Sequence, residues 1–204
     1  RAGTAPESEK LAWSLYERWI SEIVADFWSV GHLGIAATQG LMGVVSLPKY
    51  FMFRIKLDDP HPFPWIRVKL SLMLGAKLFP DPQWQKFEQL WQQIYPADDL
   101  PEDKKQVIRK LETNMSAFAD LLITHRSSTL KSFMLSDIFP ISARQPAKLR
   151  QLYEGLISKM EGAGNASPSL VFAVVGQARA DGRITAEVES RLLSRFLNHW
   201  AMSR

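Results

Sequence analysis

The chain has 204 residues, 46% of them hydrophobic and 23% charged, which fits a globular domain and argues against global disorder. It has no cysteine, which excludes disulfides, thiolate zinc sites and cysteine nucleophiles and agrees with the reducing cytoplasm, where we expect the protein. The net charge of +4 comes from scattered lysines and arginines, so we expect no specific nucleic-acid partner and only non-specific affinity for nucleic acid or acidic membranes.

The sequence begins Arg1-Ala2-Gly3-Thr4, without an initiator methionine or a signal-peptide pattern. We therefore expect a fragment, a processed product or a degenerate relative of a longer protein.

The first predicted helix runs from Glu7 to Val30. Its apolar residues recur at helical spacing and form one stripe: Leu11, Leu15, Trp19, Ile23, Phe27 and Val30. Glu22 and Asp26 are four residues apart, so both project from a neighbouring face of this helix. Gly31 and Gly34 permit a break after it.

The stretch from Phe27 to Leu47 is apolar enough to raise the question of a membrane span. It contains His32, Gln39 and four glycines, whereas a spanning helix needs about 20 predominantly apolar residues. We expect a helical hairpin, or a wall facing a substrate, with a short buried helix at 35–45. A membrane partner is therefore not expected.

A proline-rich loop is predicted at 57–64, because three prolines within five residues forbid regular structure. Residues 50–55 before it are predicted to be irregular or helical. Pro64 suits the first turn of the next helix, which is predicted to end near Phe79.

The rest of the chain also has helical patterns and turn signals. Further helices are predicted at 83–94, 102–125, 146–160 and 168–180, and from the N-cap Thr185 to about Trp200. Residues 126–145 are predicted to be irregular with one helical turn near 130–135, and 162–165 to be a linker. The aromatic stripe of Trp84, Phe87 and Trp91 is interpreted as core packing.

No internal repeat and no period-two alternation is present, so the chain is predicted to be all-α, with seven to nine helices. We divide it into a first part, 1–100, and a C-terminal helical platform, 101–204, or treat the two as one continuous domain.

Two short patterns flank the apolar hairpin: Glu22-Ile23-Val24-Ala25-Asp26, and His61-Pro62 with Arg67 six residues after the histidine. They resemble the downstream half of a gluzincin zinc metallopeptidase, of the group that includes the CAAX prenyl proteases and bacterial stress proteases. The first is similar to that family's Glu-x-x-Ala-Asp, and the second to its His-Pro followed by Arg. The resemblance covers about fifty residues, a quarter of the chain.

The resemblance implies a role for each residue. Glu22 would be the third zinc ligand. Asp26 would not contact the metal but would anchor a ligand histidine or a helix N-terminus. His61 and Arg67 would contact the peptide substrate or the oxyanion. The family also needs His-Glu-x-x-His, which none of the four histidines here forms. Zinc is thus expected only with ligands from an upstream segment or a companion chain.

The same residues also allow structural interpretations. Glu22 and Asp26 can lie on a solvated helix face, His61 can cap the helix that follows it, and Arg67 can form a structural ion pair with either acid. Our leading hypothesis is the C-terminal portion of a zinc-dependent endopeptidase. The alternative is a non-enzymatic helical module that holds a partner protein on its aromatic-rich surfaces.

Overall fold

The computed structural model describes residues 7–130, 132–158 and 166–202, and within these ranges it contains ten α-helices and no β-strand. The helices are α1 (Glu7–Arg18), α2 (Ile20–Leu33), α3 (Ile35–Val45), α4 (Lys49–Met52), α5 (Pro64–Leu78), α6 (Gln83–Ile94), α7 (Glu102–Thr124), α8 (Pro146–Ser158), α9 (Pro168–Ala180) and α10 (Ala186–Met202). The predicted all-α class is confirmed. The described helices outnumber those predicted because Trp19 interrupts the first one and the four-residue α4 forms.

The predicted apolar stripe of the first helix lies in the core. Leu15, Trp19, Ile23, Phe27 and Val30 are all buried. Trp19 also donates its indole N–H to the backbone carbonyl of Asp59 at 3.0 Å. The junction of α1 and α2 is thereby attached to the proline-rich loop.

Helix α5 is the central element of the first part of the chain. It packs against α2, α3, α6 and α7, and ten of its residues are buried, so it has little exposed surface. Thr38 of α3 and Ser71 of α5 hydrogen-bond to each other at 2.8 Å inside this packing. Arg67 is one of the partly exposed residues of α5, and it faces α2.

Helix α9 joins the C-terminal helices to α3. Its buried residues contact α8 and α10 on one side and α3 and α2 on the other. At Gly176 the two backbones approach so closely that an added Cβ would lie 2.3 Å from the Cβ of Ala36. The turn after α9 contains Gly182, at φ +70°, and Thr185 Oγ1 accepts the Val188 N–H at 3.4 Å, as predicted for an N-cap.

The structure corrects two details. Helix α3 is not buried throughout: Ile35 and Thr38 are buried where α9 and α5 cover them, but Val44 is 81% exposed near its end. Residues 126–145 contain three short 3₁₀ turns instead of one: Ser128–Leu130, Leu135–Ile138 and Ile141–Arg144.

Trp84 and Trp91 are buried as predicted, and Phe87 is partly buried. The predicted linker 162–165 and the last residues of the predicted helix 146–160 lie outside the described residues. No helix in the described part of the chain combines the length and the hydropathy that a membrane crossing requires.

The close contact at Gly176 predicts a stability difference between two glycines. Gly176→Ala should lower the free energy of unfolding by about 1–3 kcal/mol, because the new methyl group overlaps Ala36. Gly43→Ala should raise it by about 0.5–1 kcal/mol, because a Cβ at this position in α3 meets no atom of the described residues within 4 Å. Urea unfolding of both variants measures the difference, and equal stabilities would contradict this packing.

Candidate functional site

The structure brings the four predicted site residues into one cluster. Glu22 and Asp26 lie one turn apart on α2, His61 lies in the proline-rich loop, and Arg67 lies in the first turn of α5. We call this group, together with Asp59, the Glu22–Arg67 cluster. Up to 45 residues separate its members in sequence, so the contact of α2 with α5 and the attachment of the loop to Trp19 create it.

Arg67 binds both carboxylates of α2. Its Nε and Nη2 donate to the two oxygens of Asp26 at 2.7 and 2.9 Å, and Nη2 lies 3.0 Å from Glu22 Oε2. The hydrogen bonds to Asp26 raise the pKa of Arg67 above its usual value. The side chains of Asp26 and Arg67 are 16% and 22% exposed, so this is a half-buried ion pair with bidentate geometry.

Glu22 keeps one oxygen free of this ion pair. Its Oε1 lies 3.8 Å from His61 Nε2, and in the described part of the chain no donor hydrogen-bonds to it. The Glu22 side chain as a whole is 31% exposed. Glu22 therefore presents one oriented carboxylate oxygen beside an imidazole.

His61 is held by Asp59, which sequence reasoning missed. Asp59 Oδ1 accepts the His61 backbone N–H at 2.9 Å and lies 3.1 Å from Nδ1. The pKa of Asp59 is lowered most by the hydrogen bond from the His61 backbone N–H, and next by the hydrogen bond from the His61 ring. The signal was in the sequence, because an aspartate before a turn commonly binds the N–H two residues later.

The outer side of α2 is exposed beside the cluster. Helical spacing places a row of small residues, Ser21, Ala25 and Ser29, next to the row of Glu22 and Asp26. On the far side of the small residues lies an exposed apolar row: Ile20, Val24 and Trp28. A groove of about 220 Å³, lined by Asp26, Ser29, Gly40 and Val44 among others, separates α2 from the end of α3.

The cluster contains one donor suited to a metal and not a complete ligand set. Among the described residues there is no group of three His, Cys, Asp or Glu side chains that could hold a metal ion. Glu22 has an oxygen that Arg67 does not bind, whereas both oxygens of Asp26 are bound by Arg67. The chain's own residues thus fit zinc only as a contributor of one ligand.

Two of the structural interpretations have clear outcomes. The ion pair of Arg67 with Glu22 and Asp26 is present. His61 does not cap α5, because the N-cap position is Phe63, and its ring instead lies near Asp59 and Glu22. The catalytic and metal-binding roles of the four residues stay predictions.

Comparisons of the chain with protein-family models, with curated proteins and with solved structures find no match.

Because Asp26 and Arg67 form an ion pair, we predict that removing one of the two charges lowers the free energy of unfolding. Asp26→Asn keeps the side-chain shape but leaves Arg67 without its bidentate partner, so the free energy of unfolding should fall by about 1–3 kcal/mol. The matched control is Asp120→Asn, which removes an equally short bond to Lys77 on an exposed surface and should cost under about 0.5 kcal/mol. Equal losses in urea unfolding would contradict the structural role of Asp26.

Proposed function

We propose that this chain is the C-terminal portion of a zinc-dependent endopeptidase and supplies its third zinc ligand, Glu22. The observation that supports the proposal is the convergence of Glu22, Asp26, His61 and Arg67, which the resemblance to gluzincins had grouped by sequence alone. For this to happen, α2 must pack against the loop and the start of α5, whose site residues lie 39 to 45 residues after Glu22.

The Asp26–Arg67 pair orients the ligand. Arg67 holds Glu22 Oε2 at 3.0 Å and is itself fixed by two bonds to Asp26. This leaves Oε1 as the oxygen offered to the metal, which a carboxylate binds at about 2.0–2.2 Å. Because the Arg67 guanidinium already binds the carboxylates of Glu22 and Asp26, the geometry favours a role for Arg67 in positioning Glu22 over direct contact with substrate.

His61 is placed to act on the substrate. Its ring is 63% exposed, and the contact of Nδ1 with Asp59 directs Nε2 toward Glu22 Oε1. With Nδ1 held at Asp59, Nε2 is the atom of His61 placed to contact the substrate or the oxyanion. Zinc, when bound, would polarise the scissile carbonyl and activate the attacking water.

The exposed side of α2 is suited to a helix that carries the remaining ligands. The small side chains at Ser21, Ala25 and Ser29 permit close approach of another helix next to Glu22. The apolar row through Val24 and Trp28 would supply buried area for the contact. This supports an upstream segment or a companion chain as the source of the His-Glu-x-x-His motif.

A non-enzymatic interaction module is the second candidate. It is favoured by the ion pair itself, because an arginine that binds both acids needs no metal to explain why they lie together. The two candidates differ in what happens to zinc binding when Glu22 loses its charge.

Zinc content of the natural full-length protein or complex separates them. Glu22→Gln should lower zinc affinity by about 100-fold or more, because the amide oxygen is a weak ligand in place of a carboxylate. Glu17→Gln changes an exposed glutamate on α1 in the same way and should leave zinc binding unchanged. Unchanged zinc content in Glu22→Gln would remove Glu22 from the ligand set and favour the interaction module.

The role of His61 predicts a loss of activity without a loss of stability. His61→Ala should lower kcat/KM for peptide hydrolysis by about 100-fold, mainly through kcat, since it removes an oxyanion donor. Its free energy of unfolding should change by less than about 0.5 kcal/mol, because the ring is mostly exposed. A variant that retains its kcat would contradict the assignment.

A further inference from the structure

Arg144 is a buried cation for which the described part of the chain supplies no opposite charge. The residue is only 4% exposed and ends the short turn Ile141–Arg144. Arg67 and Arg150 are both less buried, yet each of them binds two carboxylates. No described carboxylate binds Arg144. Burial therefore lowers the pKa of Arg144, whereas hydrogen bonds to two aspartates raise the pKa of Arg150.

The Arg144 guanidinium lies between the end of α2 and the start of α9. Its Nε donates to the carbonyl of His32, in the last turn of α2, at 2.6 Å, and its Nη2 donates to Ser169 Oγ, in the first turn of α9, at 3.2 Å. The end of α2 carries partial negative charge and suits a cation. The start of α9 carries partial positive charge and has no acidic residue in its first turn. On that side the guanidinium lacks a negative partner.

Several hydrogen-bond donors are unused on the α9 side of Arg144. Its Nη1 makes no hydrogen bond to any residue that the structure describes, and it keeps contact with solvent. Ser167, the N-cap of α9, makes no capping bond through its side chain. Its Oγ lies 3.5 Å from Ser169 Oγ, so at most one hydroxyl proton is used between them and the other stays free. The backbone N–H of Ser169, second in the helix, has no acceptor within it.

We propose that Arg144, Ser169 and Ser167 form a binding site for a phosphate group at the start of α9. A phosphate supplies the negative charge that the buried guanidinium lacks, and it is favoured by the positive end of the helix. Its tetrahedral oxygens accept hydrogen bonds from several directions. This suits a guanidinium, two hydroxyls and a backbone N–H better than a planar carboxylate does. Inorganic phosphate and the phosphate ester of a small molecule share this chemistry.

The phosphate site is separate from the Glu22–Arg67 cluster. Arg144 contacts α2 at His32, ten residues after Glu22, which is about 15 Å along the helix. The inference therefore stands or fails independently of the peptidase proposal. The competing explanation is that Arg144 only binds the last carbonyls of α2, a structural role in which phosphate has no part. The two explanations differ in whether phosphate binds and whether Ser169 contributes to its affinity.

Calorimetric titration of the 204-residue chain with inorganic phosphate, at constant ionic strength, tests the inference. The chain should bind phosphate with a dissociation constant of about 1 mM or lower. Arg144→Lys keeps the charge but removes the forked donors, so it should weaken binding by about tenfold or more. Ser169→Ala removes one hydroxyl and should weaken binding by about fivefold. Circular dichroism verifies the helical fold, and Ser169→Ala decides the outcome if Arg144→Lys does not fold.

The matched controls are Arg150→Lys, at an arginine paired with two aspartates, and Ser190→Ala, at an exposed serine of α10. Both should leave the phosphate affinity unchanged. Sulfate should compete with phosphate, and acetate should compete at least about tenfold more weakly. Glycerol phosphate distinguishes the two sources, because an ester ligand should bind more tightly than inorganic phosphate.

Three results would overturn the inference. The first is the absence of saturable phosphate binding by the wild-type chain. The second is a folded Arg144→Lys or Ser169→Ala variant that binds phosphate as tightly as the wild type, because Arg144 would then serve only α2. The third is competition by acetate as strong as that by sulfate, because the site would then not select a tetrahedral anion.

Discussion

The guanidinium of Arg67 joins α5 to two carboxylates of α2, and the arrangement of the candidate site follows from that ion pair. Asp26 is one of the least exposed acids in the site, and a carboxylate taken out of water requires a partner. Arg67 provides it with two parallel bonds, and the same guanidinium then fixes Glu22. One cation therefore links α2 to α5 at the site and determines which oxygen of Glu22 remains available.

The proline-rich loop depends on the same contact. It begins where Trp19, at the start of α2, binds the Asp59 carbonyl, and it ends at Pro64, where α5 begins. Asp59 then fixes the backbone and the ring of His61. Because the loop is attached to α2 through Trp19 and leads directly into α5, His61 is brought next to Glu22.

Much of this arrangement could be predicted from sequence because it depends on local patterns. The helical periodicity gave the all-α class and the buried stripe of α1 and α2, and the spacing of Glu22 and Asp26 gave their shared face. The exposure of Val44 could not be predicted in this way. The sequence pattern of an apolar helix predicts burial whether or not another element covers the helix. Which turns of α3 are covered depends on the positions of α5 and α9.

The central claim is that Glu22 Oε1 is a metal ligand, and an anomalous difference map at the zinc absorption edge tests it most directly. The crystal should contain the natural full-length protein or complex, grown with zinc. We predict a peak about 2.0–2.2 Å from Glu22 Oε1, with two histidines from outside these 204 residues completing the ligand set. A fully occupied zinc site elsewhere, with Glu22 bound only by Arg67, would contradict the account.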